Sequence, residues 1–187
     1  DLEKNQFHAD ELSLTNTTAS ITQTKANPPD ESSSATIDLG VRSFTGTNLH
    51  FTYDNTIDGE HYGVDLGTST LLADKIDLPS RRIALKSFLL DNTSIVAILP
   101  RDTENKTSAT GAPALPWIIS LDRLVLNNNS AQYDVLGTPA TKGLDPNHLR
   151  LDDVALRAEN LYFSENRMKA DIRHTSFREH SGLEVRE

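Results

Sequence analysis

The side chains best suited to chemistry in this chain are six histidines, His8, His50, His61, His148, His174 and His180. A zinc site needs imidazoles at a spacing that aims two of them at one ion, as in H-x-x-x-H or H-E-x-x-H. No pair here has that spacing. His174 falls in an apolar slot of the strand pattern described below and reads as a partly buried, satisfied histidine. Asp152-Asp153 and Asp54-Asn55 offer oxygen ligands, but neither has the glycine and distal glutamate of an EF-hand calcium loop, and both read as solvated turns. There is no G-x-S-x-G elbow and no phosphate-binding loop, and Gly63 and Gly67 read as turn or bulge glycines. The triplets starting at Asn16, Asn92, Asn105 and Asn128 match the N-glycosylation pattern, as an Asn/Thr-rich β surface does by chance. The expectation is a protein that is not an enzyme and uses no cofactor or metal.

Composition narrows the partners. The 187 residues carry a formal charge of −9, which disfavours phosphate backbones and argues against nucleic acid. Cysteine is absent, which removes thiol catalysis, disulfides and thiolate metal sites. Apolar residues make up 36% and aromatics only 6%, so any core is thinly supplied with rings. No apolar run approaches the roughly 18 residues of a membrane helix. The chain opens on polar residues, and patterning begins by Phe7, which reads as a piece cut from a longer protein.

The elements that carry these residues read as strands throughout. Residues 37–53 place Ile37, Leu39, Val41, Leu49, Phe51 and Tyr53 on odd positions, the period of a sheet with one wet face. A finer phrase also recurs: apolar, any, apolar, any, any, apolar, any, apolar. It occurs at Phe7-Ala9-Leu12-Leu14, Leu71-Ala73-Ile76-Leu78 and Ile83-Leu85-Phe88-Leu90. Further copies are Ile119-Leu121-Leu124-Leu126 and Leu149-Leu151-Val154-Leu156, with looser ones at Leu39-Val41-Phe44 and Ile172-His174-Phe177. The extra middle residue shifts the alternation, and a bulge or kink that absorbs it keeps both halves on one face.

The phrases also repeat at long range. Residues 41–54 match residues 121–134 at an offset of 80, with Tyr53-Asp54 falling on Tyr133-Asp134, and residues 83–88 match 172–177 after a nine-residue insertion. The expected organisation is a partial repeat at 1–36, a repeat at 37–100, an inter-repeat loop at 101–116 and a second repeat at 117–187. Such units point to an elongated array. The stretch 159–163, ENLYF, resembles most of a protease site used in expression vectors, but Ser164 follows the Phe. Leu161 and Phe163 also keep the strand alternation, so the stretch reads as native. Residues 27–34, NPPDESSS, and 101–116 read as polar loops.

The strand phrases in ISLDRLVLNNNSAQYD (119–134) and HLRLDDVALRAENLYFS (148–164) resemble the AsmA-like superfamily of the TamB (translocation and assembly module) type. The closing MKADIRHTSFREHSGLEV (168–185), with its S-F-x-E-x-S-G ending, resembles the Bacteroidetes members. The likeness lies in repeat style and covers most of residues 7–187; the family's N-terminal anchor and C-terminal signature are absent from the chain. The resemblance implies an all-β, elongated and incompletely closed, taco-like structure with an apolar groove. It implies a periplasmic place, tethered to the inner membrane in the full-length protein, with phospholipid acyl chains as partners and an outer-membrane assembly partner for the whole protein. The groove would be lined by Leu39, Val41, Phe44, Leu49, Phe51, Leu71, Ile76, Leu78, Ile83, Leu85, Phe88 and Leu90. From the second repeat it would take Ile119, Leu121, Leu124, Leu126, Leu149, Leu151, Val154, Leu156, Leu161, Phe163, Ile172 and Phe177.

Two interiors satisfy the same pattern. An acyl chain needs a continuous apolar trough free of unpaired polar groups, whereas a sandwich would close the same side chains on each other. In function, the alternative to a lipid groove is a structural or adhesive surface β-repeat module whose loops bind glycans or protein partners.

Overall fold

The structure is a computed structural model, described here for residues 6–25, 38–101 and 116–186. The loop expected at 27–34, most of that expected at 101–116, and the triplet at Asn105 lie outside the described residues. Among the described residues the chain is all β, with 78% in strands and no helix. Nine strands form one mixed sheet: β1 (Gln6–Gln23), β2 (Asp38–Asn55), β3 (Glu60–Asp77), β4 (Arg82–Asp91), β5 (Ser94–Pro100), β6 (Ile118–Leu136), β7 (His148–Ser164), β8 (Arg167–Glu179) and β9 (Glu184–Val185). The sheet order is β1-β2-β3-β4-β6-β7-β8-β9. β5 continues β4 past a break at Asn92 and Thr93, pairing with the far half of β3 and with β6. The result is a partial ring that does not close into a barrel.

Direction follows one rule. β2-β3-β4 and β6-β7-β8 are antiparallel meanders, while β1 to β2 and β4/β5 to β6 are parallel joins. Parallel neighbours need a crossover, and the two longest connections in the chain fall at these joins.

The repeated phrase sets the register. In both parallel joins the phrases lie level: Ala9 opposite Val41 and Leu12 opposite Phe44, then Ile83 opposite Ile119 and Phe88 opposite Leu124. The ladder skips Asp10 and Arg42 together, and Lys86 and Asp122 together, so each extra residue is met by another beside it. A second kink lies higher up, at asparagines in the left-handed region: Asn16 (φ 51), Asn48 (φ 51), Asn92 (φ 52) and Asn128 (φ 51). Asn tolerates this backbone better than residues with bulkier β-carbons. The kinks are stapled in pairs, Asn48 Nδ2 donating to Asn16 Oδ1 at 2.7 Å and Asn128 Nδ2 to Asn92 Oδ1 at 2.6 Å. Three of the four glycosylation-like triplets therefore mark strand kinks. β3 passes this level at Gly67, where a β-carbon would lie 2.5 Å from the Asn92 carbonyl oxygen, so no other residue fits.

Five expectations are corrected by the register and the strand bounds. Phe88 shares its cross-sheet row with Leu124, Ala158 and Ile172, so its counterpart in the second meander is Ile172 and not Phe177. His174 lies opposite Arg157, off the apolar rows; Thr175, opposite Leu156, takes the slot. Leu78 sits in the β3–β4 turn rather than in a strand. Asp152 and Asp153 lie inside β7, where Asp153 (φ 53) forms a bulge and not a turn. Gly63 and Gly67 likewise lie inside β3.

Candidate functional site: an uncovered apolar face

Directly paired residues share a face, so the ladders can be followed as rows across the sheet. One unbroken row reads Leu12, Phe44, Leu71, Phe88, Leu124, Ala158, Ile172 over seven strands. The next row up is Leu14, Gly46, Ser69, Leu90, Leu126, Leu156, Thr175. Below lie Ala73, Leu85, Leu121 and Leu161, and then Ile76, Ile83, Ile119, Phe163 and Met168. Val41 joins this region beside Ala9, and Leu39, the second residue of β2, pairs with Phe7. Above the asparagine kinks, Leu49 pairs with Leu66 and Phe51 with Val64, while Leu151 pairs with Ala131 and Val154 with Asn129. Both halves keep the same face: a β-carbon on Gly46 would touch Leu49 Cδ1 and the Phe44 ring alike. Leu149 lies opposite Tyr133 in the highest row. Phe177 is backed by Val185 of β9.

Nothing in the described chain covers this face. No strand comes within 8 Å, Cα to Cα, of any but its hydrogen-bonded neighbours. The apolar residues buried among the described ones are Leu90, Leu121 and Ala158, at 8%, 8% and 2% exposure. Phe163, Ile172 and Met168 are 48%, 62% and 83% exposed. The sandwich interior is thus excluded for the described residues, since a closed core would bury the whole row. Over β6–β8 the face deepens into an apolar groove of about 400 Å³, walled by Ile119, Leu121, Leu161, Phe163, Met168 and Ile172.

The polar groups near the face are satisfied. Asn129, buried at the β4–β5 break, accepts from the Thr93 amide at 2.9 Å and donates to the Leu90 carbonyl at 3.0 Å, mending the interrupted ladder. No buried side-chain nitrogen or oxygen lacks a partner among the described residues. The apolar rows therefore carry no unpaired polar group that would penalise hydrocarbon.

The opposite face carries charge. At the lower kink, Arg42 pairs with Asp10 at 3.5 Å, and Lys86 with Asp74 at 3.4 Å. One step along, Arg173 pairs with Glu159 at 2.9 Å. Two histidines, whose equivalence is visible only in the ladder, bind the aspartates of the 80-residue repeat: His61 to Asp54 at 2.7 Å and His148 to Asp134 at 3.2 Å. His148 also lies 3.1 Å from the Thr138 carbonyl through Nε2. Thr138 spends its hydroxyl proton on the Val135 carbonyl, so its oxygen, 2.9 Å from Nε2, is likewise an acceptor. Both ring nitrogens must then donate, which only the imidazolium does. The Asp134 hydrogen bond accordingly raises the His148 pKa from its ordinary 6.5. The Gln132 amide, then His148, lowers that of Asp134. Asp145 is lowered by the Thr141 and Asn147 amides that it caps in the β6–β7 loop. No cluster of three or more metal-ligating side chains occurs among the described residues.

Comparisons with protein-family models, curated proteins and solved structures find no match.

Proposed function

We propose that the uncovered face holds phospholipid acyl chains, and that the chain is a segment of an AsmA-like, TamB-type protein. In that reading it is a periplasmic protein, anchored to the inner membrane in its full length. It serves phospholipid movement between the two membranes or outer-membrane protein assembly. The observation that carries the reading is the continuity of the apolar rows over seven strands with nothing packed on them. Such a surface gains roughly 0.8 kcal/mol for each CH₂ it takes from water. A monomer has no reason to leave so long an apolar strip uncovered and half-exposed unless something occupies it.

The test is Leu124→Asp in the middle of the central row. On an open face water still reaches the carboxylate, so the fold should survive with a stability loss of about 1 kcal/mol, or roughly 2–4 °C in Tm. Organic extraction and mass spectrometry should find phospholipid in the parent protein and much less in the variant. A parent that carries no lipid, and takes none from mixed micelles, leaves the structural or adhesive β-repeat reading instead.

A further inference from the structure

The apolar face ends differently at its two lips. At the lower lip its last row is Ile76, Ile83, Ile119, Phe163 and Met168. At the upper lip the corresponding row is Ile21, Tyr53, Tyr62, Ala97, Tyr133 and Leu149, with three tyrosines. A tyrosine lays its ring on apolar surface and carries its hydroxyl to the wet side, as at a membrane interface. One step beyond, on the same face by alternation, stand Glu60 and Val135. With Arg101, Tyr133 and Asn147 they line a cavity of about 340 Å³. Small-ligand pockets start at roughly 300 Å³, so the cavity admits a headgroup and no folded partner.

We infer that this cavity receives the headgroup of a phospholipid whose chains lie on the apolar rows beside it, and that it selects a zwitterionic headgroup ending in a primary ammonium. The inference rests on the acyl-chain reading of the face. Glu60 and Arg101 are the only charged residues lining the cavity among the described ones, one of each sign. The guanidinium of Arg101 offers its fork of N–H donors to a phosphate, and the carboxylate of Glu60 accepts from an ammonium that has three protons to give. A quaternary ammonium has no N–H for Glu60, and a phosphoglycerol headgroup brings no cation at all. The wall is already built. The Val135 amide donates to the Asn147 carbonyl at 2.8 Å. Thr138, also in the lining, is held by His148 Nε2 at its hydroxyl and carbonyl oxygens. A preformed wall leaves less order to impose when the ligand arrives.

Delipidated protein should be loaded from mixed micelles holding equal amounts of phosphatidylethanolamine, phosphatidylcholine and phosphatidylglycerol, and its bound lipid extracted for mass spectrometry. Phosphatidylethanolamine should be enriched several-fold over both competitors. Glu60→Lys should shift the preference to phosphatidylglycerol without lowering total lipid, because the apolar rows are untouched. If Glu60→Lys loses the parent circular dichroism, Arg101→Glu, placed just past the end of β5, should still abolish the enrichment. The lower lip supplies the control: Arg81 lies over the Trp117 ring at 6.0 Å, and Arg81→Gln should leave the lipid ratio unchanged. Soluble phosphoethanolamine lacks the chains and should not displace bound lipid. Displacement by it, or a ratio that follows Arg81, overturns the inference. Lipid bound at the micelle ratio overturns the headgroup site alone and leaves the apolar-face reading standing, whereas a parent that takes no lipid overturns both.

Discussion

Asn48 and Asn128 hold backbone that most residues avoid, and each also donates a side-chain bond to the asparagine one strand away. Replacing Asn48 with Ala should cost about 1–2 kcal/mol for the left-handed backbone, on top of the lost hydrogen bond. Asn48→Gly forfeits the bond but relaxes the backbone, so it should be the milder change. Urea denaturation of the two variants decides this, and an alanine as benign as the glycine would mean that the kink is not strained. These asparagines stood in the sequence at spacings of 32 and 36 residues. Their role was hidden because asparagine is equally common in turns and, at Asn16, Asn92 and Asn128, fits the glycan-acceptor pattern, and only φ separates those uses. The apolar residues around them were easier to read, since their period depends on nothing but the pleat.

Between strands, the β6–β7 connection is organised by ionisable groups. His148 faces Asp134 from β6 and Asp145 from the loop, with Arg150 two residues along its own strand. Its raised pKa means that its charged form stabilises the folded state; that contribution is complete below about 6.5 and lost as pH climbs through the raised value. The lowered pKa of Asp134 works the other way, holding above the ordinary carboxylate value of 3.8 and failing as pH falls through the depressed one. The loop should therefore be firmest at mildly acidic to neutral pH. Hydrogen exchange at the Thr141 and Asn147 amides, compared with His148→Gln at each pH, should show protection lost above neutrality in the parent alone. Equal pH dependence in both proteins would remove His148 from the role. The strands themselves were legible from alternation, including the stretch 159–163, which pairs on both sides within β7. What could not be read was which strand lies beside which. The match of residues 83–88 to 172–177 failed because bulges in β7 and β8 move the register, and an extra residue in a strand looks the same in sequence whether or not its neighbour has one.

For the molecule as a whole, the exposed rows predict a native state that binds a hydrophobic dye such as ANS at neutral pH with its strands intact, a property more often seen in partly folded states. Added phospholipid should compete the dye away, whereas dye binding that appears only on denaturation would mean that the face is covered in solution. An open interior was among the alternatives that the sequence allowed, but alternation reports only that a face is apolar and never what lies across from it. The direction of the rows has a further consequence. They run across the strands, so the molecule gains length only by adding strands, each contributing about 4.8 Å. A three-strand meander of roughly 80 residues thus advances the face by about 14 Å, near 0.2 Å per residue, against 1.5 Å for a helix. A path built this way is therefore costly in chain, and any protein that uses it to bridge a wide gap must be encoded by a very long gene.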